Sequence, residues 1–161
     1  MHGTERVIGE LNDCLNGALS AIVQCIVHAE MLHCRGYEGR SLHVKKQAIE
    51  EMLHARSLIE RILVLEGLPQ VDLAPSPRIG ANCQEQLGND LAAERLAVDR
   101  CCCAAAICAH EGDTVSQALL ERIVRNKESH AGYLASELSA QDAVGLENCF
   151  ARQIHSVPRP C

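Results

Sequence analysis

Apolar residues recur every three or four positions through residues 5–34, and this spacing constrains the fold more than any other feature of the chain. A helix of about 3.6 residues per turn collects such positions on one face, whereas a half-buried strand needs strict alternation. The spacing therefore predicts a long helix over residues 5–34 with one buried face, ended by Gly36. The members of the stripe are Val7, Ile8, Leu11, Leu15, Leu19, Ile22 and Ile26.

Further segments show the same helical pattern. Residues 40–66 are apolar on more than one side, which predicts that this helix is covered both by the core and by another subunit. Two capping boxes, Asn82 with Glu85 and Thr114 with Gln117, mark the starts of the next two helices. The predicted helices after the first cover residues 40–66, 83–111, 115–144 and, as a short fifth helix, 147–155.

Residues 67–82 cannot continue a helix because they contain three prolines and two glycines. So long a connection in a compact domain needs a reason, and a crossover between two helices that run the same way supplies one. The sequence therefore predicts an all-α fold, a four-helix bundle with a long crossover between helices two and three and a short fifth C-terminal helix. No linker divides the chain, so residues 1–161 are expected to form a single domain.

Composition and charge narrow the class of protein. The chain is 47% hydrophobic but only 2% aromatic, which suits packed helices better than sheets. Its net charge of -6 argues against nucleic acid as the main partner, and no apolar run reaches about 18 residues, so no membrane span is expected. The N-terminal residues lack the apolar segment of a secretory signal. We therefore expect a cytoplasmic protein whose ten cysteines are reduced thiols that pack mostly as small apolar side chains.

Two kinds of metal ligand lie on the second predicted helix, in the segment AIEEMLHAR. Glu51 and His54 are three positions apart and share a face, whereas Met52 is about 100° further round the helix. A carboxylate and an imidazole suit a transition metal, and a thioether in apolar company offers a softer ligand. The third and fourth helices add Glu94 and His130, so a metal centre inside the bundle is a candidate site.

Together these residues resemble the bacterioferritins, the haem-containing branch of the ferritin family. The resemblance covers essentially the whole chain, and its motifs are specific only in combination. The matching stretches are VIGELN at 7–12, AIVQ at 21–24, IEEMLHA at 49–55 and IERILVLEGLP at 59–69, followed by Glu94, His130 and GLEN at 145–148.

The resemblance implies a di-iron ferroxidase centre, but the ligand set is incomplete. Four family ligands have counterparts in Glu51, His54, Glu94 and His130. Ala18 and Lys127 stand where the family has glutamates. An ammonium close to divalent iron would be repelled, so we predict that Lys127 pairs instead with Glu51 or Glu94 and that the centre is inactive.

Three alternatives stay open. The four remaining ligands could hold a single metal, which would be poor at the two-electron chemistry of a ferroxidase. A centre rebuilt with other ligands could still oxidise Fe(II) to Fe(III). A soft-metal or redox role for the cysteines is weaker, because Cys101, Cys102 and Cys103 point in successive directions round a helix and cannot converge on one metal.

The resemblance also implies haem b at a twofold subunit interface, with Met52 from each partner as an axial ligand of the haem iron. Without the resemblance, Met52 would more often be core filler. Lys45 or Arg56 is expected to meet the haem propionates. The residues expected around the haem are Leu19, Ile22, Ile26, Lys45, Ile49 and Arg56.

The family further implies a hollow homo- or hetero-oligomer of about twenty-four subunits around an iron mineral. Its haem serves electron transfer that helps to mobilise the stored iron, with a ferredoxin-type protein as a candidate electron donor. A subunit without a working ferroxidase centre makes most sense beside a catalytic bacterioferritin subunit in a mixed shell. No nucleic acid or membrane partner is expected.

Overall fold

The computed structural model describes residues 3–145, and this part of the chain forms four α-helices and no strand. The prediction of an all-α protein is therefore confirmed. The helices are α1 (Glu5–Cys34), α2 (Glu38–Val64), α3 (Cys83–His110) and α4 (Thr114–Val144). The predicted fifth helix over 147–155 lies outside the described residues.

Short glycine turns join the helices into two hairpins, α1 with α2 and α3 with α4. At the end of α1, the Gly36 N–H donates to the His33 carbonyl and the Tyr37 N–H donates to the Leu32 carbonyl. This arrangement needs a positive φ, which Gly36 adopts at 83° and Gly112 adopts at 77° after α3. The turns fold each hairpin back on itself, so the two helices of a pair run antiparallel.

The start of α4 differs from the prediction. The cap is Asp113 rather than Thr114, because the Asp113 carboxylate accepts hydrogen bonds from both the backbone N–H and the hydroxyl of Ser116. The same carboxylate lies 2.7 Å from the Arg61 guanidinium, which ties the end of α2 to the start of α4. The cap predicted for α3 is present, since the Asn82 side chain accepts from the backbone N–H three residues on.

The connection between α2 and α3, residues 65–82, lies along α1 and is held by polar side chains of that helix. Asn12 accepts a hydrogen bond from Gln70 N–H and Asn16 accepts one from Asp72 N–H, each over 2.7 Å. Further along α1, Gln24 accepts from the Arg78 N–H over 2.9 Å. Later residues of the connection meet later residues of α1, so the two run in the same direction.

A polar layer divides the core of the bundle. One apolar cluster lies towards the end of the bundle that holds Leu11 and Leu120, and a second lies towards the end that holds Ala29 and Leu134. Between the two clusters all four helices contribute residues that the clusters omit. Glu51 of α2, Glu94 of α3 and Lys127 of α4 are buried charged side chains that lie in this gap.

Helix α1 is long and apolar enough, by length and composition alone, to cross a membrane, a test that the core helices of bundles also pass. More than half of its most apolar stretch, 56%, is buried inside the protein. Leu11, Leu15 and Ala29 of this helix pack in the two core clusters. Packing against the other helices therefore accounts for its apolar character.

Candidate metal centre and exposed methionine face

The polar layer brings together the predicted metal ligands. Donor atoms of Glu51, Glu94 and His130 lie within 4.8 Å of one another, and the two glutamates are buried. His54, the fourth predicted ligand, is a neighbour of this group, with its Nδ1 atom 3.5 Å from Glu51 Oε2. Helical spacing and the meeting of α2, α3 and α4 thus bring Glu51, Glu94 and His130 together, with His54 beside Glu51.

Lys127 lies between the two buried carboxylates. Its Nζ atom donates a 2.6 Å hydrogen bond to Glu51 Oε1 and lies 3.8 Å from Glu94 Oε2. The side chain is only 3% exposed, so water does not screen these charges. The predicted pairing of Lys127 with a glutamate is present, and Glu51 is the closer partner.

Burial and neighbouring charges shift the pKa values of Glu51, Glu94 and Lys127. Burial alone would raise the pKa of Glu51, but the Lys127 ammonium and the His54 ring lower it to about 2. Burial raises the pKa of Glu94 to about 7, an effect that Lys127 opposes and the Glu51 charge reinforces. Burial would lower the pKa of Lys127, but the two carboxylates raise it. At neutral pH the layer therefore holds a charged Glu51–Lys127 pair beside a Glu94 carboxyl that is partly protonated.

These residues do not fit a di-iron centre. Such centres in helical bundles use four carboxylates and two histidines. Ala18, which lies buried on α1, offers no donor atom, and one of the two remaining carboxylates is hydrogen-bonded to an ammonium. Even with both carboxylates ionised, two carboxylates and one ammonium carry a net charge of -1, too little to neutralise two divalent cations.

A smaller set of donor atoms has only long contacts. Glu51 Oε2 and His54 Nδ1 lie 3.5 Å apart and Glu94 Oε2 lies 3.8 Å from Lys127 Nζ, and none of these three buried atoms forms a hydrogen bond within the described residues. Unpaired buried polar atoms are costly, so they mark a place where a further ligand or ion would be stabilising. The donor set is therefore compatible with one cation at most.

One contact in this region was not predicted. The His130 Nε2 atom lies 2.5 Å from Glu50 Oε2, so His130 contacts the half-buried neighbour of Glu51 as well as the polar layer. Glu50 is one position from Glu51 and would face about 100° away on the same helix. Sequence spacing gave no sign of this pair, because it depends on how far α4 is turned towards α2.

Met52 lies on the surface rather than in the core. It is 47% exposed, which excludes the interpretation of Met52 as core filler. Ile26 and Ile49, both predicted to surround a haem, are also exposed, and the other two apolar members of that set, Leu19 and Ile22, are half-buried. The outer surface of α1 and α2 therefore carries apolar side chains together with an accessible thioether.

Two cations predicted to meet haem propionates lie on this side of α2 in ordinary surface pairs. Lys45 Nζ lies 2.9 Å from Glu30 Oε1, and Arg56 Nε lies 2.8 Å from Glu60 Oε1. Exposed ion pairs contribute about 0 to 1 kcal/mol. Either cation can therefore exchange its partner for another anion at little cost.

The cysteines do not form a metal site in the part of the chain that the structure describes. Cys101 is buried, whereas Cys102 and Cys103 are exposed, so the three diverge as predicted. The nearest pair of thiols is Cys14 with Cys101, whose sulfur atoms lie 3.6 Å apart. Seven of the described cysteines are free thiols, and Cys34 departs from the prediction of reduced thiols because it is bonded in a disulfide.

A helical bundle with glutamate and histidine facing its axis is the arrangement of ferritin-like proteins, and the ferritin-like domain matches residues 8–142 of this chain. Bacterioferritin BfrA of Mycobacterium tuberculosis is 35% identical over 158 residues, covering 98% of this chain and 99% of its own. Bacterioferritin of Mycolicibacterium paratuberculosis is 34% identical over the same coverage, and that of Rhodobacter capsulatus is 36% identical over 90% of each chain. The chain belongs to the bacterioferritin family.

Proposed function

We propose that this protein is an iron-storage subunit that binds haem through Met52 and lacks a competent di-iron ferroxidase centre. The observation that carries the second half of the proposal is the 2.6 Å contact between Lys127 Nζ and Glu51 Oε1. It engages a carboxylate that a metal would need and puts a cation where metal ions would lie. This subunit would store iron, and another type of subunit in the shell would oxidise it.

The exposed Met52 supports the haem assignment. A thioether that is half exposed among apolar side chains is available to a ligand shared with a second copy of the chain. The apolar side chains would bury the macrocycle, and Lys45 and Arg56 would pair with its propionates. When bound, haem b with two thioether ligands supplies one-electron redox chemistry and no open position for oxygen.

Haem binding can be tested with two methionines of this chain. Replacement of Met52→Leu should abolish haem binding, and Met52→His should change the absorption spectrum of the bound haem. Met31→Leu, a methionine on α1 that contacts Gln86, is the matched control and should leave haem per subunit unchanged. A spectrum and haem content that stay the same in Met52→Leu would refute the assignment.

Membership of the bacterioferritin family supports an assembled shell and particular partners. We infer a shell of about twenty-four subunits, with the connection 65–82 as the crossover of a ferritin-like bundle. The subunit would share a mixed shell with a catalytic bacterioferritin subunit and receive electrons from a ferredoxin-type donor. It would act in the cytoplasm, without nucleic acid or a membrane as partner.

The second candidate is a ferroxidase with a partial metal site. The unpaired oxygens of Glu51 and Glu94, together with His130 nearby, favour one bound cation. Two assays on purified protein separate the candidates: metal atoms per subunit, and oxygen consumed on addition of Fe(II). Oxygen consumption at the rate of a catalytic bacterioferritin would support the second candidate and exclude the first.

A further inference from the structure

Polar side chains recur every four residues along one line of α1, and only one of them has no partner. Asn12, Asn16, Gln24 and His28 each bond the 65–82 connection. Ser20 lies in the middle of the same line and is 5% exposed, yet its hydroxyl forms no hydrogen bond within the described residues. An unpaired buried hydroxyl costs about 1 to 3 kcal/mol unless a partner reaches it.

A cavity of about 140 Å³ lies beside Ser20. It lies between α1, α3 and the part of the connection that contains Pro75 and Ser76, with Lys127 of α4 at its wall, and it opens to solvent where Pro75 and Leu96 are exposed. The connection bonds α1 at Asp72 and again at Arg78, and no hydrogen bond joins it to α1 between them. The cavity therefore occupies the place where the connection leaves α1, with the unpaired hydroxyl in its wall.

The charged side chains in the cavity wall are all cationic. Arg78, Arg100 and Lys127 line the cavity, and among residues 3–145 no aspartate or glutamate does. Lys127 is engaged by Glu51. Neither arginine forms an ion pair in residues 3–145, although the Arg100 guanidinium makes a long 3.5 Å contact with the Asp13 carbonyl. Two guanidinium groups thus remain available to an anion.

The larger part of the wall is apolar, although the neutral polar side chains of Gln24, Ser76 and Asn89 also line it. Alanines of α1 and α3, Leu96 and Pro75 supply most of it. A phosphate ion would pair with the arginines but would gain nothing from the apolar part of the wall, whereas a carboxylate attached to an apolar body would use both. An engineered apolar cavity of about 150 Å³ in another protein accepts benzene. A ligand of the present cavity should therefore have an apolar part of about six carbons.

We propose that this cavity binds a small organic carboxylate. Its carboxylate accepts a hydrogen bond from the Ser20 hydroxyl and pairs with Arg78 and Arg100, and its apolar body packs against Leu96 and Pro75. Guanidinium groups suit this task because they present planar pairs of donors to a carboxylate. The bound molecule would join the connection to α1 and α3 at the position where hydrogen bonds between them are lacking.

The experiment measures benzoate binding to the full-length assembled protein by ligand-observed NMR and calorimetry. We expect saturable binding with a Kd below about 1 mM. Benzamide, the neutral counterpart of similar shape, should bind at least about tenfold more weakly, and equimolar inorganic phosphate should not displace benzoate. Equal binding of benzamide, displacement by phosphate, or an absence of saturation would each overturn the proposal.

Variants locate the site. Arg78→Met and Arg100→Met should each weaken benzoate about tenfold, the effect of losing one charge-assisted contact. Arg95→Met, which removes an exposed arginine from α3 outside the cavity, is the matched control and should bind normally. Ala93→Leu fills the cavity and should abolish binding while the circular dichroism and shell size stay unchanged. Benzoate that binds all four variants equally would show that it lies elsewhere and refute the assignment.

Discussion

Replacement of Lys127→Met tests the ion pair at the centre of the bundle. The change removes the ammonium but keeps most of the side-chain volume. Glu51, 1% exposed, would then be a buried carboxylate without its 2.6 Å partner, next to the Glu94 carboxyl. Removing one member of a buried pair leaves an uncompensated charge and typically costs about 3 to 5 kcal/mol.

The cost should depend on pH, with a direction that follows from the pKa values. In the native protein the pKa of Glu51 is lowered to about 2, so its contribution to stability is present above the unfolded value of about 4.3 and is lost as the pH falls towards 2. Without Lys127, burial raises the pKa of this carboxyl. A raised pKa favours the folded state only at low pH, so the variant should lose more stability at pH 8 than at pH 5.

Thermal unfolding at a fixed subunit concentration measures the effect. A loss of about 3 to 5 kcal/mol lowers Tm by roughly 6 to 20 °C in a chain of this size. The matched control is Lys46→Met, which removes an exposed lysine from α2 and should change Tm little. Adding Glu51→Gln to Lys127→Met removes the unpaired charge and should restore most of the loss. A variant that melts with the control, or a double variant with no recovery, would refute the reasoning.

Three further predictions follow from the same layer and from the thiols. Because the pKa of Glu94 is raised to about 7, stability should fall as pH rises from about 4.3 to 7, and Glu94→Gln should flatten this slope in urea titrations; an unchanged slope would contradict the shift. The double variant Ala18→Glu with Lys127→Glu restores the family's ligand set and should gain Fe(II)-dependent oxygen consumption. A well-folded double variant that binds two irons without consuming oxygen would show that the missing glutamates are not what prevents ferroxidase activity. Iodoacetamide should label Cys102 and Cys103 before the five buried thiols, as measured by peptide mass spectrometry over time. Labelling of the five thiols at the same rate would contradict their burial.

Local patterns predicted the helices and the chemistry of their faces. The three-four apolar spacing depends only on helix geometry, so α1 could be predicted without knowledge of its partners. The same geometry assigned Glu51 and Met52 to different faces of α2, and the structure buries the first and exposes the second. Sequence spacing missed contacts that join separate helices, such as His130 with Glu50.

Most of the missed features are contacts between separate segments. Asp113 caps α4 through a local hydrogen bond from the Ser116 N–H, but its carboxylate also accepts one from Arg61, which lies 52 residues earlier in the chain. The polar line on α1 gave no functional signal alone, because its partners are backbone groups of an irregular connection. Bonds of this kind depend on the path that the connection takes through space.

Helical periodicity, which is a property of each segment alone, determined the four helices and the separate faces of Glu51 and Met52. The resemblance to the bacterioferritins indicated that the set of metal ligands is incomplete. Only the tertiary structure decided which glutamate Lys127 pairs with, and it left Ser20 unpartnered beside a cavity lined by cations. Distances between side chains of different helices follow from the packing of the whole bundle. No single segment contains that information.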